Sequence, residues 1–348
     1  MGIIRARTFS SILSGCSPAD SLTNSPQYRD ELIHCISNGT PNNELSARAY
    51  DEYLRDHPLE KECIRSFGLQ NKLMLPTHMS RSVAAALLAD SQLLPLVNCS
   101  HLACNVPCSH DDCYISVQWR DENTADAEEW FQRSHRFNCR PLHITIDRRL
   151  ILDALRRNDY TAICDNLRQS HIGDAFDNGF VSTCADLPSR QPTQSHYLPQ
   201  PEPIDVSESD FADWRFWQSL APLRAATISG RSVWVMHGLT AIDIMTLEGR
   251  TGNRLVEANA GEGTWRLLGC DIIQPRKCCM HSFDRAENGD VFAMLVDPVG
   301  FTVNLMPGLP LYLSQEDPTR QSSSCLDVIF PCDGVVTDSR GWLTLRKK

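Results

Sequence analysis

The sequence predicts an α+β fold: a mostly helical N-terminal half with a Cys/His metal-binding segment, then a β-rich C-terminal half built as an antiparallel sandwich or barrel-like sheet. Three observations carry this. Apolar residues of the first half recur at helical spacing, as at Leu45, Ala49, Tyr50 and Tyr53. From Ala185 to Asp210 a polar stretch holds Pro188, Pro192, Pro199, Pro201 and Pro203, and such a run sustains neither a helix nor a central strand. Beyond it come short apolar runs punctuated by Gly: SVWVM, RLVEA, DVFAML, FTVNLM, LDVIF and WLTLR. A chain of 348 residues is longer than one core usually grows. The expected organisation is therefore a helical domain over 1–184, a Pro-rich linker over 185–210 and a β-rich domain over 211–348.

Taken in order, the first helix spans Asn42 to His57 and stops before Pro58. A second follows Ser80 as N-cap and ends by Pro95. DAEEWFQRSHRFNC reads as a third, with Asp126 as N-cap and Glu129 completing a capping box. DRRLILDALRRN and DYTAICDNLRQ form a helical pair, with Asn158 or Asp159 capping the second. In the C-terminal half, Asp297-Pro298-Val299-Gly300 has turn residues in type I positions and is expected to join DVFAMLV to FTVNLM as a hairpin. Asp338-Ser339-Arg340-Gly341 is expected to do the same between GVVT and WLTLR.

The densest chemical signal lies in 99–139. Cys-Ser-His-x-x-Cys occurs twice, as Cys99, His101, Cys104 and as Cys108, His110, Cys113. Zinc sites draw paired Cys and His ligands from short loops, because a few intervening residues can place both on one tetrahedron. On the expected helix His135 and Cys139 stand at i and i+4, stacked on one face. Cys108, Cys113, His135 and Cys139 would then form a Cys3His zinc (Zn2+) site. Cys99, His101, Cys104 and His110 would bind a second ion or substitute in the first, and spacing does not choose between these. Buried thiols are the plain alternative. No His-Glu-x-x-His pattern accompanies the set, so a closed structural site is favoured over a catalytic one.

Charge bounds the rest. The formal net charge of −10 excludes a protein whose whole surface grips nucleic acid. Arg133, Arg136, Arg140, Arg148, Arg149, Arg156 and Arg157 still form a local cluster, readable as an RNA- or phosphate-binding patch or, more plainly, as solvated helix faces. No apolar run reaches the roughly 18–20 residues of a membrane span. The 15 cysteines, without a secretory signal, point to a reducing, cytoplasmic setting.

Three functions follow as expectations. The first is a zinc-binding structural or interaction protein that meets a protein partner or itself. The second is an RNA-binding or capsid-type protein, viral ones included, using the Arg cluster. The third is a metal-dependent enzyme with its site in the C-terminal domain, around His237 or His281. Cys270, Cys278 and Cys279 near His281 lack an identifiable orienting acid. Gly179 to Cys184 and Met236 to Thr240 resemble nucleotide-pocket strands, and strand-end turns explain them equally well. Asp290 to Leu305 looks like the last hairpin of the glyoxalase-type metalloenzyme module over about fifteen residues. That family's metal-binding His and Glu positions cannot be placed around it.

Overall fold

A computed structural model describes residues 22–38, 44–58, 61, 65, 73–100, 107–112, 131–136, 140–185, 202–222, 231–247, 254–259, 264–275, 280–305, 312–314, 325–336 and 342–348. The fold is α+β. Among the described residues the first half holds the helices α1 (Pro26–Asn38), α2 (Glu44–Asp56), α3 (Thr77–Asp90), α4 (Arg148–Arg157), α5 (Thr161–Gln169) and α6 (Ile172–Ala185). In α1 Tyr28, Leu32, Cys35 and Ile36 are buried, at i, i+4, i+7 and i+8. The Tyr28 hydroxyl satisfies itself by donating to the Met74 carbonyl at 2.8 Å.

Local chemistry sets the helix ends. Asp147 caps α4 by accepting from the backbone N–H of Arg149 (2.7 Å) and Leu150, and Asn158 closes it in the left-handed conformation, φ 51°. Asp159 accepts from the Thr161 N–H and hydroxyl at the start of α5. Ser80 corrects an expectation. Helix α3 begins a turn earlier, after Pro76, and the Ser80 hydroxyl donates back to the Pro76 carbonyl from inside the helix. Gly179 to Cys184 belongs to α6, so it is not a strand.

Two open sheets organise the chain. The first has the order β1 (Leu73–Met74), β13 (Tyr312–Ser314), β14 (Cys325–Val336), β12 (Phe301–Leu305), β2 (Asn98–Ser100), with β5 (Arg140–Asp147) also on β14. The second runs β6 (Ile204–Val206), β15 (Leu343–Lys347), β11 (Val291–Val296), β7 (Val233–Met236), β10 (Cys270–Ile273), β9 (Thr264–Leu267), β8 (Val256–Asn259). Short helices accompany the second sheet among the described residues, including α7 (Glu208–Ala212), α8 (Trp214–Ser219) and α9 (Gly238–Met245).

The sheets depart from an antiparallel sandwich or barrel. Both are open and mixed, with β12 parallel to β2, β10 to β7 and β15 to β6. Neither expected hairpin forms. Strand β11 is flanked by β7 and β15 in the second sheet, whereas β12 pairs β14 and β2 in the first. With both edges of β11 occupied, β12 has no place beside it. The turn at 297–300 therefore carries the chain from one sheet to the other, held by the Asp297 carboxylate accepting from the Val299 N–H. The segment after β14 makes the return crossing to β15, and its turn at 338–341 lies outside the described residues.

Period-2 alternation shows why SVWVM and VFAMLV are apolar throughout. Val233, Val235, Met294 and Val296 join a core with α1, α3, α4, α5 and α6. Their neighbours Trp234, Met236, Ala293 and Leu295 join a second core with Phe211, Trp217, Ala241 and Ile244. A strand covered on both faces needs side chains that water rejects on both. Here one strand pair belongs to two cores at once.

Candidate assembly interface

Strands β3 (Pro107–Asp112) and β4 (Phe131–Arg136) form an antiparallel ribbon that pairs with neither sheet. Six residues in each strand give it a length of about 20 Å at the usual rise. The base is tethered, because three residues separate Arg136 from Arg140, the first residue of β5. Residues 131–136 thus correct the expected helix over DAEEWFQRSHRFNC. Local caps and an i,i+4 pair argued for the helix, but strand β3 provides a ladder partner for each of these positions, and such tertiary pairing overrides weak local propensity.

The expected metal ligands lie on different strands or outside the described residues. Cys108 and His110 lie on β3 and His135 on β4, with Cys108 directly opposite His135. His101, Cys104, Cys113 and Cys139 lie outside the described residues. Cys99 sits on β2 opposite Val303, 3% exposed in the first core, and burial pushes its thiol up to about 12. It is a protonated core thiol at neutral pH. Among the residues whose side chains are described, no group of three or more His, Cys, Asp or Glu is placed to hold a metal.

The strand that follows the ribbon has an open side. Strand β5 pairs with β14 over eight residues, Cys325↔Asp147 through Cys332↔Arg140. Among the described residues no strand pairs with its other edge. A long edge exposes a row of backbone donors and acceptors to any incoming strand. Among the described residues the ribbon has two such edges.

The Arg cluster divides. Arg133 and Arg136 lie on β4 and Arg140 opens β5. Arg148 donates to the Ile36 and Ser37 carbonyls, the latter at 2.9 Å, and so closes the C-terminus of α1, where a cation is favoured. Arg156 pairs with Asp153 one turn earlier at 3.4 Å. Arg149, Arg156 and Arg157 are exposed on α4, as solvated helix faces are. In the C-terminal half the His237 ring accepts from the Leu239 N–H and caps α9, which explains Met236 to Thr240 as a strand-to-helix turn. His281 is exposed, Cys270 is buried, and Cys278 and Cys279 lie outside the described residues.

Sequence reasoning missed the clasp that joins α3 to α6. The Asp177 carboxylate, 2% exposed, accepts from the Ser91 hydroxyl at 2.6 Å and from the Gln92 and Leu93 N–H groups at 3.0 and 3.2 Å. Burial raises its pKa. Beside it the Gly173 N–H donates to Asp90, and a Cβ on Gly173 would lie 2.2 Å from the Ser91 nitrogen. A lone Asp-Asn-Gly in a helix carries no local sign of a partner some 85 residues away. No helix among the described residues is long and apolar enough to cross a membrane.

No protein-family model matches the sequence, and no curated protein does. Among solved structures, the capsid of an empty GTA particle overlays with TM-score 0.48 at 13% identity, covering 74% of this chain and 90% of that one. The capsid of cyanophage P-SCSP1u gives 0.43 at 11%, covering 72% and 86%. Gordonia phage Cozz gives 0.42 at 14%, covering 75% and 86%. With TM-scores under 0.5, these overlays do not define the fold of this chain.

Proposed function

We propose that the chain is a structural subunit that assembles with copies of itself into a shell of the capsid type. One observation carries this reading: a ribbon that pairs with neither sheet. A two-stranded ribbon is marginal alone in water, so it needs a surface to lie on. The same chain offers β5, an eight-residue strand at the ribbon's base whose second edge meets no strand among the described residues. The ribbon and that edge are different surfaces with complementary hydrogen bonding. A contact between unlike patches of identical chains is heterologous, and it propagates into rings or lattices rather than stopping at a dimer. The overlays on capsid proteins are consistent with this reading and are not its basis.

Sedimentation velocity and negative-stain electron microscopy of the purified chain test it. Large closed particles or ring-like oligomers support the proposal. A monomer at all concentrations and salts rejects it.

A further inference from the structure

Among the described residues, four large apolar side chains are exposed: Leu239 (46%), Ile242 (45%), Leu96 (40%) and Val299 (39%). Scattered singly, such residues are ordinary on any surface. These fall into two pairs. Leu239 and Ile242 stand at i and i+3 on α9, on the face opposite the buried Thr240, Ala241 and Ile244. Leu96 stands just before Asn98, whose side-chain amide donates to the Val299 carbonyl at 2.6 Å, so the second pair shares one corner. Strand β7 sets the pairs apart. It ends at Met236 and α9 begins at Gly238, which puts the first pair at its C-terminal end. Val233 opens it beside Val296, and the turn at 297–300 follows at once, which puts the second pair at its N-terminal end. Four residues at the usual strand rise separate the two ends by about 13 Å.

The charges at the two ends differ in sign. The Phe283 N–H donates to the Thr240 hydroxyl at 3.0 Å and so fixes Asp284 beside α9, where Asp243 shares the outer face with Leu239 and Ile242. Burial and the Asp284 carboxylate together push the Asp243 pKa up. The other end carries Arg231, exposed just ahead of β7.

We infer that the α9 face of one copy docks on the corner of Leu96 and Val299 in the next copy, an inference that rests on the shell reading above. A second copy fits because both patches are apolar, the acids of one answer the Arg231 of the other, and opposite ends of one strand let identical chains repeat the contact head to tail. A contact of α9 with its own kind would set Asp243 and Asp284 against the same acids of a neighbour. The contact is small. Two partly exposed side chains on each copy fall far short of the ~800 Å² per partner of a standard interface. It does not hold copies together without the ribbon; it fixes the angle at which ribbon-joined copies meet.

Sedimentation velocity of the full-length chain, at the midpoint of wild-type assembly, tests it. Ile242→Lys sets a cation against Arg231, and Val299→Asp sets an acid against Asp243 and Asp284, so each should lower the assembled fraction about tenfold. The double variant Ile242→Lys/Val299→Asp should recover to within about twofold of wild type, since each copy then meets its neighbour across an opposite-charge pair. Leu239→Lys and Leu96→Asp, singly and together, repeat the reading at the same two ends if a first variant loses the wild-type urea midpoint. Ala162→Asp, exposed on α5, should assemble as wild type does. Single variants that assemble normally, a double variant no better than its parents, or a matching loss in Ala162→Asp would overturn the contact and leave the shell reading standing. A wild type that stays monomeric rejects both.

Discussion

The central strands β7 and β11 and the ribbon β3–β4 are all short antiparallel-paired β segments, yet they stand at opposite extremes of support. Val233 to Met236 are buried throughout and alternate between two cores. Trp234 is 1% exposed, donates from its indole N–H to the Leu267 carbonyl at 3.1 Å, and meets Trp217 edge-on at 6.2 Å. Among the described residues the ribbon pairs only with itself. Under the proposed assembly the difference separates the work of folding from the work of contact: the bridging strands fix the body, and the ribbon is left for another surface.

Substitutions that break this contrast rank by how many supports each removes. Trp234→Ala empties space in the second core and removes the indole hydrogen bond to the Leu267 carbonyl. We expect a loss of about 3–5 kcal/mol, read from urea unfolding. Asp177→Ala removes the acceptor of two backbone N–H groups and one hydroxyl; about 2–3 kcal/mol should be lost. Its pH dependence has a definite sign. Because burial raises the Asp177 pKa, the folded chain binds that proton more tightly than the unfolded one. The contribution is full below the unfolded value, about 4, and fades as pH rises through the folded value. The stability advantage of wild type over Asp177→Asn should therefore shrink from pH 4 to pH 7, and an advantage that grows would contradict this assignment. Asp147→Ala removes the cap of α4 and should cost about 1 kcal/mol. Replacing residues 105–138 with a short Gly-Ser link should leave the unfolding free energy of the body within about 0.5 kcal/mol, the scale of surface changes.

Legibility in the sequence followed locality. Helices α2, α4 and α5 could be read from periodicity, and the Asp147 carboxylate and Asn158 lie where end signals belong. The apolar runs of β7, β11 and β15 could be read as strands. Their partners could not, because pairing is a long-range choice. Asp297-Pro298-Val299-Gly300 has the same local chemistry whether the next strand turns back or crosses to another sheet. The seven-stranded sheet joins residues 204 and 345 in parallel, and nothing local announces that. The Cys/His segment marked the ribbon as unusual. The helix placed over residues 131–136 failed because short polar-apolar mixtures fit both periods, and a strand partner decided between them.

The central claim is that the ribbon is a contact device and not a folding element. Sedimentation velocity on wild type and on the chain lacking 105–138, at matched concentration, tests it most directly. The account predicts large assemblies for wild type and a folded monomer for the shortened chain, with equal unfolding midpoints. Assemblies of the same size from both chains, or a shortened chain that fails to fold, would contradict it.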